Sequence, residues 1–168
     1  MSVVNERVER VDERDRILAV VDREEAVRRG WLHRVATTIC RDRQGRVLVH
    51  RRPDDSARFP GLYDVMVGGA VAIGESYERA ATRELAEELG VHVPVRPVCR
   101  FLCRGAISPY WLGVHEAVIA GAVTPDPGEV AWHAWLTERE LRRAVRRWSF
   151  VPDGQEAYGR HLARRAGQ

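Results

Sequence analysis

Three glutamates that share one turn of a predicted helix offer this chain its strongest chemistry. In the stretch GAVAIGESYERAATRELAEELGV, residues 69–91, Glu84 and Glu88 stand four positions apart and Glu87 follows Glu84 by three. Residues at those spacings are neighbours on a helix, and like charges there cost a few tenths of a kcal/mol per pair. Three carboxylates on one patch therefore call for a cation. Hard divalent ions take oxygen ligands, and Mg²⁺ typically uses a few carboxylates together with substrate phosphate oxygens. The wider pattern is equally specific: Gly69, five residues, Glu75, seven residues, then Arg83-Glu84-Leu85-Ala86-Glu87-Glu88-Leu89-Gly90-Val91. At average residue usage, chance produces such a nine-position match with a probability on the order of 10⁻⁹ per starting point.

The flanking residues are those needed to hold the carboxylates in place. Ser76 is a good N-cap, with Glu78 in the first turn. Tyr77, Ala81, Leu85 and Leu89 form a stripe that the helix can bury beside its acidic face. Gly90 stands where a left-handed C-terminal residue is wanted. Gly68 and Gly69 end the apolar run Val65-Met66-Val67, where backbone must turn or approach a ligand closely. Further out, residues 8–11 and 17–21 read as a short hairpin, and Asp22 with Glu25 caps a brief helix over 23–29. Residues 32–40 and 47–51 read as strands around the Asp42-Arg43-Gln44-Gly45 turn. Another strand over 63–67 delivers the glycine pair, and more follow near 97–104, 110–119 and 130–135. Thr137-Glu138-Arg139-Glu140 and Asp153-Gly154-Gln155-Glu156 read as capping boxes opening two C-terminal helices. Strands with helices before, between and after them predict an α/β/α sandwich around a mixed sheet.

Residues 69–91 resemble a complete Nudix box, with every fixed position occupied. The resemblance implies a Nudix-like α/β/α sandwich with a central mixed β-sheet, here as a domain over residues 31–168 behind an N-terminal hairpin and short helix in residues 1–30. It implies a Mg²⁺-dependent hydrolase, Mn²⁺ being an alternative ion, that cleaves the diphosphate linkage of a nucleoside diphosphate derivative by attack of metal-activated water. Residue by residue it implies Glu84, Glu87 and Glu88 as metal ligands and catalytic groups, with a backbone carbonyl of Gly68 or Gly69 completing the shell. Arg83 lies one turn before Glu87 and pairs with it or with Glu75. The general base is either a box glutamate or a carboxylate from a later loop, for which Glu129 in Pro127-Gly128-Glu129-Val130 is the candidate. Arg51 and Arg52 are candidates for the substrate's diphosphate, because guanidinium matches phosphate bidentately; strand alternation points one of them at the cleft. Trp31, Tyr63 and Trp111 are either stacking or core residues.

Segments such as Gly30–Ala36, His50-Arg51-Arg52-Pro53 and Phe59–Asp64 are similar to the branch containing isopentenyl diphosphate isomerase. That enzyme's cysteine would fall within Asp64-Val65-Met66-Val67-Gly68-Gly69-Ala70, which has none, and of its histidine-containing metal site only His33 remains. A hydrolase is the better reading; an isomerase-like enzyme and a catalytically silent ligand sensor are the alternatives.

Composition excludes several classes. All 27 basic residues are arginines, so lysine-based chemistry is ruled out. The net charge of +3 is modest, and the arginines of 139–147 fall at helical spacing opposite Leu141, Ala144 and Val145. They read as a solvated helix face and not as a nucleic-acid surface. No run approaches the ~18 apolar residues of a membrane span, and the charged N-terminus lacks the core of a signal peptide. A cytoplasmic protein with a small-molecule nucleotide or diphosphate partner is expected, the hairpin being a candidate homodimer contact. Cys40, Cys99 and Cys103 lie in apolar, strand-like segments without a C-x-x-C pair and read as buried thiols.

Overall fold

Strand β3 (Arg34–Arg41) is buried from Ala36 onward, as a strand covered on both faces must be. In the computed structural model, which describes residues 5–168, it is the strand from which the main sheet is built. Along one edge β3 runs parallel to β8 (Tyr110–Val118), from Arg34↔Trp111 to Arg41↔Val118. Along the other it pairs antiparallel with β6 (Met66–Ala70), from Val35↔Ala70 to Ile39↔Met66. Strand β4 (Val47–Arg51) meets β3 only at Arg41↔Val47 and is otherwise antiparallel to β9 (Trp132–Leu136) and β5 (Tyr63–Asp64). Strand β7 (Arg96–Cys103) adds to the far side of β8. The sheet is therefore mixed, as expected.

Alternation along these strands feeds two cores. Ile39, Val47 and Val49 pack with Phe101, Leu112 and Val114, and with Leu141, Ala144 and Ala157 of the helices α3 (Glu138–Arg147) and α4 (Pro152–Ala166). Cys40 and Leu48 point the other way, toward Val67 and toward Leu85 and Leu89 of α2 (Tyr77–Leu89). Helices on both faces make the α/β/α sandwich. The caps of α2 form as expected: the Ser76 side chain accepts from the Arg79 amide, and Gly90 adopts φ 66°. Thr137 and Glu140 make a reciprocal capping box on α3, whose arginines stay exposed while Leu141 and Ala144 are buried.

Two local expectations are corrected. Helix α4 starts at Pro152, with no side-chain cap on Val151; proline suits the first helical position because its missing N–H has no partner there anyway. Asp153 therefore caps nothing and instead accepts from the Ala106 amide at 3.0 Å and the Tyr110 hydroxyl at 2.6 Å. The strand over 63–67 is broken at Val65, because Asp64 Oδ1 accepts from the amides of Val65 and Met66 at 2.8 and 3.1 Å. That break lets β5 join β4 while β6 joins β3.

The N-terminal extension, of which residues 1–4 lie outside the described residues, forms a separate hairpin of β1 (Arg7–Val11) and β2 (Ile17–Asp22) followed by α1 (Arg23–Arg29). Val8, Val11 and Ala26 are buried. Asp15, in the hairpin turn, accepts from Arg34 Nε of β3 at 2.6 Å and from the Tyr77 hydroxyl of α2 at 3.0 Å, and pairs with Arg100 of β7 at 3.1 Å. Glu9 Oε1 accepts from the Gly74 amide in the loop before α2. Cys40 and Cys103 are buried, Cys99 is half-buried, and all are free thiols. Among the described residues no helix is long and apolar enough to cross a membrane.

Gly68 is the tightest point of the β3–β6 pair: a Cβ there would lie 2.0 Å from the Ala36 carbonyl oxygen and 2.7 Å from Thr37 Cα. All three nearest atoms are backbone of β3, which has no flexible side-chain end to give way. Gly68→Ala is expected to cost at least ~1–3 kcal/mol by overpacking, read as a lowered urea midpoint; an unchanged midpoint would contradict the close approach.

Candidate active site

The loops at one end of the sheet and residues of the N-terminal extension, chiefly of α1, surround a cavity of about 670 Å³. Glu84, Glu87 and Glu88 of α2 line it, together with Gly68 and Gly69 and, from the loop before β9, Asp126 and Glu129. The sheet brings α2 and this loop together: the amide of Asp126 donates to the Glu88 carbonyl at 2.8 Å. Arg52, Arg23 and Arg58 supply a basic part of the lining.

Arg83 organises the carboxylates. Its Nε and Nη2 donate to the two oxygens of Glu75 at 3.0 and 2.9 Å, its Nη1 to Glu84 at 2.7 Å and to Glu87 at 3.3 Å, and its Nη2 also to the Ala70 carbonyl at 3.0 Å. Both sequence alternatives for its partner thus hold at once. The hydrogen bonds from Arg83 hold the Glu75 carboxyl below its ordinary pKa, and those with Glu75 raise the guanidinium's. Burial raises the Glu84 carboxyl, against the opposing pull of Arg83. Glu88 has no such partner: burial, then the charges of Glu84 and Glu129, push its pKa well above the usual carboxylate value.

Among the described residues no three His, Cys, Asp or Glu side chains are gathered into one metal-sized cluster. Glu84 and Glu87 are turned to Arg83 instead, the cation within reach. The surroundings nonetheless fit a divalent ion. A Cβ on Gly69 would stand 2.6 Å from Glu84 Oε1, so only glycine leaves room between that carboxylate and the strand. The donor set is all oxygen, and Glu88 is a buried acid whose neighbours are also acids, an arrangement that a cation would relieve.

The two arginines at the end of β4 diverge, as alternation requires. Arg52 lines the cavity, with its Nε donating to the Arg58 carbonyl at 2.8 Å. Arg51 is not among the residues that line the cavity and pairs with Asp54 at 2.5 Å, so Arg52 is the one of the two on the cleft side. The aromatic candidates are engaged within the fold, Tyr63 against the core as its second reading had it. Tyr63 stacks on Trp148 at 4.6 Å, Trp31 lies under the guanidinium groups of Arg10 and Arg29 at 4.2 and 4.9 Å, and Trp111 Nε1 donates to the Asp12 carbonyl. Phe59 and Tyr110 are the aromatic side chains that line the cavity, and Phe59 adopts φ 48°. Left-handed backbone is uncommon for a bulky residue and worth noting beside a site. His115 hydrogen-bonds the Thr37 carbonyl and Glu116 pairs with Arg96, outside the cavity.

Sequence reasoning missed Arg23, Arg58 and Asp64, which line the cavity together with His33, a residue singled out above only through the isomerase resemblance. Only Asp64 carried a local signal, a charged residue inside an apolar run. Burial pushes its carboxyl up to about 7, and a Cβ on Gly154 of α4 would meet its Oδ1 at 2.0 Å. His50, beside it in the lining, is held down to about 4 by burial, so its Nε2 donates to the Met66 carbonyl at 2.7 Å as a neutral ring.

The NUDIX domain family matches residues 31–154. The chain is 46% identical over 163 residues to an uncharacterized Nudix hydrolase of Streptomyces coelicolor, covering 95% of this chain and 90% of that protein. It is 32% identical over 143 residues to a prenyl-diphosphate phosphatase of Methanosarcina mazei, covering 83% and 84% of the two chains. A crystal structure of a Deinococcus radiodurans protein superposes with a TM-score of 0.77 at 30% identity, covering 91% of this chain and 98% of that one.

The Asp64 carboxyl gives a pH signature. Its folded pKa of about 7 lies above the unfolded value of 3.8, so its contribution is full below the unfolded value and declines as pH rises toward the folded one. Between those limits the folded state binds the extra proton, and the slope approaches −1.4 kcal/mol per pH unit. Stability of the wild type is expected to fall relative to Asp64→Asn from about pH 4 to about pH 7, and then to run parallel to it. Denaturation curves that stay parallel throughout would show that the acid is not buried in its neutral form.

Proposed function

Since this chain belongs to the NUDIX family and is a Nudix hydrolase acting on diphosphate-containing substrates, we propose that it cleaves the diphosphate linkage of a nucleoside diphosphate derivative in a Mg²⁺-dependent reaction, with Mn²⁺ able to substitute. The observation that carries this reading is the joint presence, in one cavity, of the α2 carboxylates and of Arg52. Glu84, Glu87 and Glu88, with the carbonyl of Gly69, would hold the ion. When bound, it offsets charge on the diphosphate oxygens and lowers the pKa of a coordinated water.

The chain's own groups supply the rest. Arg83 keeps Glu84 and Glu87 in register through Glu75, and an outer partner of this kind fixes ligand orientation. Arg52 presents a guanidinium to the phosphoryl oxygens. Glu129 lines the cavity outside the Arg83 network and serves as base: it takes the proton as water oxygen bonds to phosphorus and the bridging P–O bond breaks. Glu88 must lose its proton to bind a cation, so divalent-ion affinity rises with pH. None of Cys40, Cys99 and Cys103 lines the cavity, which favours hydrolysis over isomerase chemistry in a branch that resembles the isopentenyl diphosphate isomerases.

A second reading concerns the organic group. The relative named a prenyl-diphosphate phosphatase, and the apolar lining of Val27, Phe59, Ile107 and Val151, favour a prenyl chain in place of a nucleoside. Turnover of nucleoside diphosphate derivatives and prenyl diphosphates, compared at equal Mg²⁺, separates the two.

Glu87→Gln and Glu88→Gln are each expected to lower kcat/KM by at least ~100-fold on any substrate so found, through lost ion affinity and lost stabilisation of charge. Wild-type turnover by either variant at limiting Mg²⁺ would overturn the assignment of these residues.

A further inference from the structure

The cavity contains a second cluster that hydrolysis leaves unused. Arg23 opens α1, Arg58 sits in the loop between β4 and β5, and His33 precedes β3; all three line the cavity. Arg23 belongs to the N-terminal extension, ahead of the NUDIX match that begins at residue 31. His33 is 2% exposed, yet its Nδ1 has no hydrogen-bond partner among the described residues, and the buried Nε of Arg23 also lacks one. Buried polar groups are normally paired, and each one left unpaired carries a desolvation cost.

Like charges are also held together here. Burial and then the charge of Arg23 lower the pKa of Arg58. Burial, then Arg23 and Arg58, hold His33 down to about 4, so the ring is neutral at physiological pH. Arg23 Nη1 pairs with Glu6 at 2.8 Å and Arg58 Nη2 with Glu24 at 2.5 Å, but those glutamate side chains are 51% and 71% exposed. Ion pairs this exposed contribute little and are readily exchanged. A wall of two half-buried cations and a buried, neutral imidazole, loosely countered from outside, is a receptor for an anion.

We propose that Arg23, Arg58 and His33 form a phosphoryl-binding subsite, built jointly by the extension and the domain, that takes a second phosphoryl group of the substrate beside the bond that is cleaved. Two guanidinium forks match phosphate oxygens bidentately, and the His33 ring supplies one further N–H in the appropriate tautomer. The subsite deepens the diphosphate reading and rests on it for what occupies the rest of the cavity. It selects substrates bearing a terminal phosphoryl group, one with a single bridging oxygen. That group is either the terminal phosphoryl of a singly esterified diphosphate or a phosphomonoester elsewhere on a doubly esterified one.

The test uses the full chain and begins without metal. In EDTA, inorganic pyrophosphate is titrated calorimetrically into the wild type, Arg23→Gln, Arg58→Gln and the double variant, with thermal midpoints measured alongside. The double variant is expected to bind at least ~10-fold more weakly, as two charge-assisted contacts are lost. Glu24→Gln is expected to bind as well as the wild type or better. With Mg²⁺, the double variant should raise KM for singly esterified diphosphates and leave a doubly esterified one without a phosphomonoester unchanged. A KM effect confined to doubly esterified substrates carrying a phosphomonoester assigns the subsite to that source. Should the double variant fail to fold, Arg23→Lys and Arg58→Lys keep the charge without the fork, and each should still weaken binding. Equal pyrophosphate affinity in the wild type and in folded variants overturns the subsite. Loss of all Mg²⁺-dependent turnover on the panel overturns the hydrolytic reading instead, and the metal-free titration still decides this one.

Discussion

Everything at the acidic end of the cavity depends on one guanidinium. Arg83 reaches Glu75 in the loop before α2, Glu84 and Glu87 on its own helix, and the Ala70 carbonyl where β6 ends. One side chain thereby ties loop, helix and strand into a single unit. The electrostatic logic is of balance between like and unlike charges. Three neighbouring carboxylates would otherwise repel one another, and a single positive charge shared among them keeps Glu84 and Glu87 ordered without satisfying Glu88. Glu88 stays as the strained member, buried among acids. Arginine suits this position better than lysine would, since a planar fork can serve several acceptors at fixed angles.

The packing below explains why such a charged assembly is tolerated. Leu85 and Leu89, on the far face of α2, are fully buried against Val67, Ile119 and Leu48. Apolar burial on one face holds the helix against the sheet, and the acidic face is left to the cavity. Gly68 and Gly69 bring the strand close on both of its sides, Gly68 to the backbone of β3 and Gly69 to Glu84. Either pair of contacts would be lost if a side chain stood there.

What the sequence made legible was local. Ser76, Gly90, Asp22 and Thr137 announce helix ends because a cap is a contact between residues a few positions apart. The spacing of Glu84, Glu87 and Glu88 likewise needs only helix geometry. Asp153 misled for the converse reason: its capping pattern lost to partners at Ala106 and Tyr110, far away in the chain. Arg51 and Arg52 are adjacent in sequence, yet one faces Asp54 and the other the cavity. Arg23 and Arg58 carried no signal and His33 one only through the isomerase resemblance, since the meeting of the three is made by tertiary packing alone.

Asp15 gives the extension a meaning beyond that of an added ornament. Its carboxylate is shared by Arg34, Tyr77 and Arg100, so the hairpin turn is riveted to two strands and to the first residue of α2. Trimming the protein at the family boundary would strip those three side chains of a common acceptor and remove a wall that Glu6, Arg23 and Val27 supply. The smallest piece that keeps this pocket whole is therefore larger than the shared fold, and divergence among relatives can act through a segment that never touches the bond being broken.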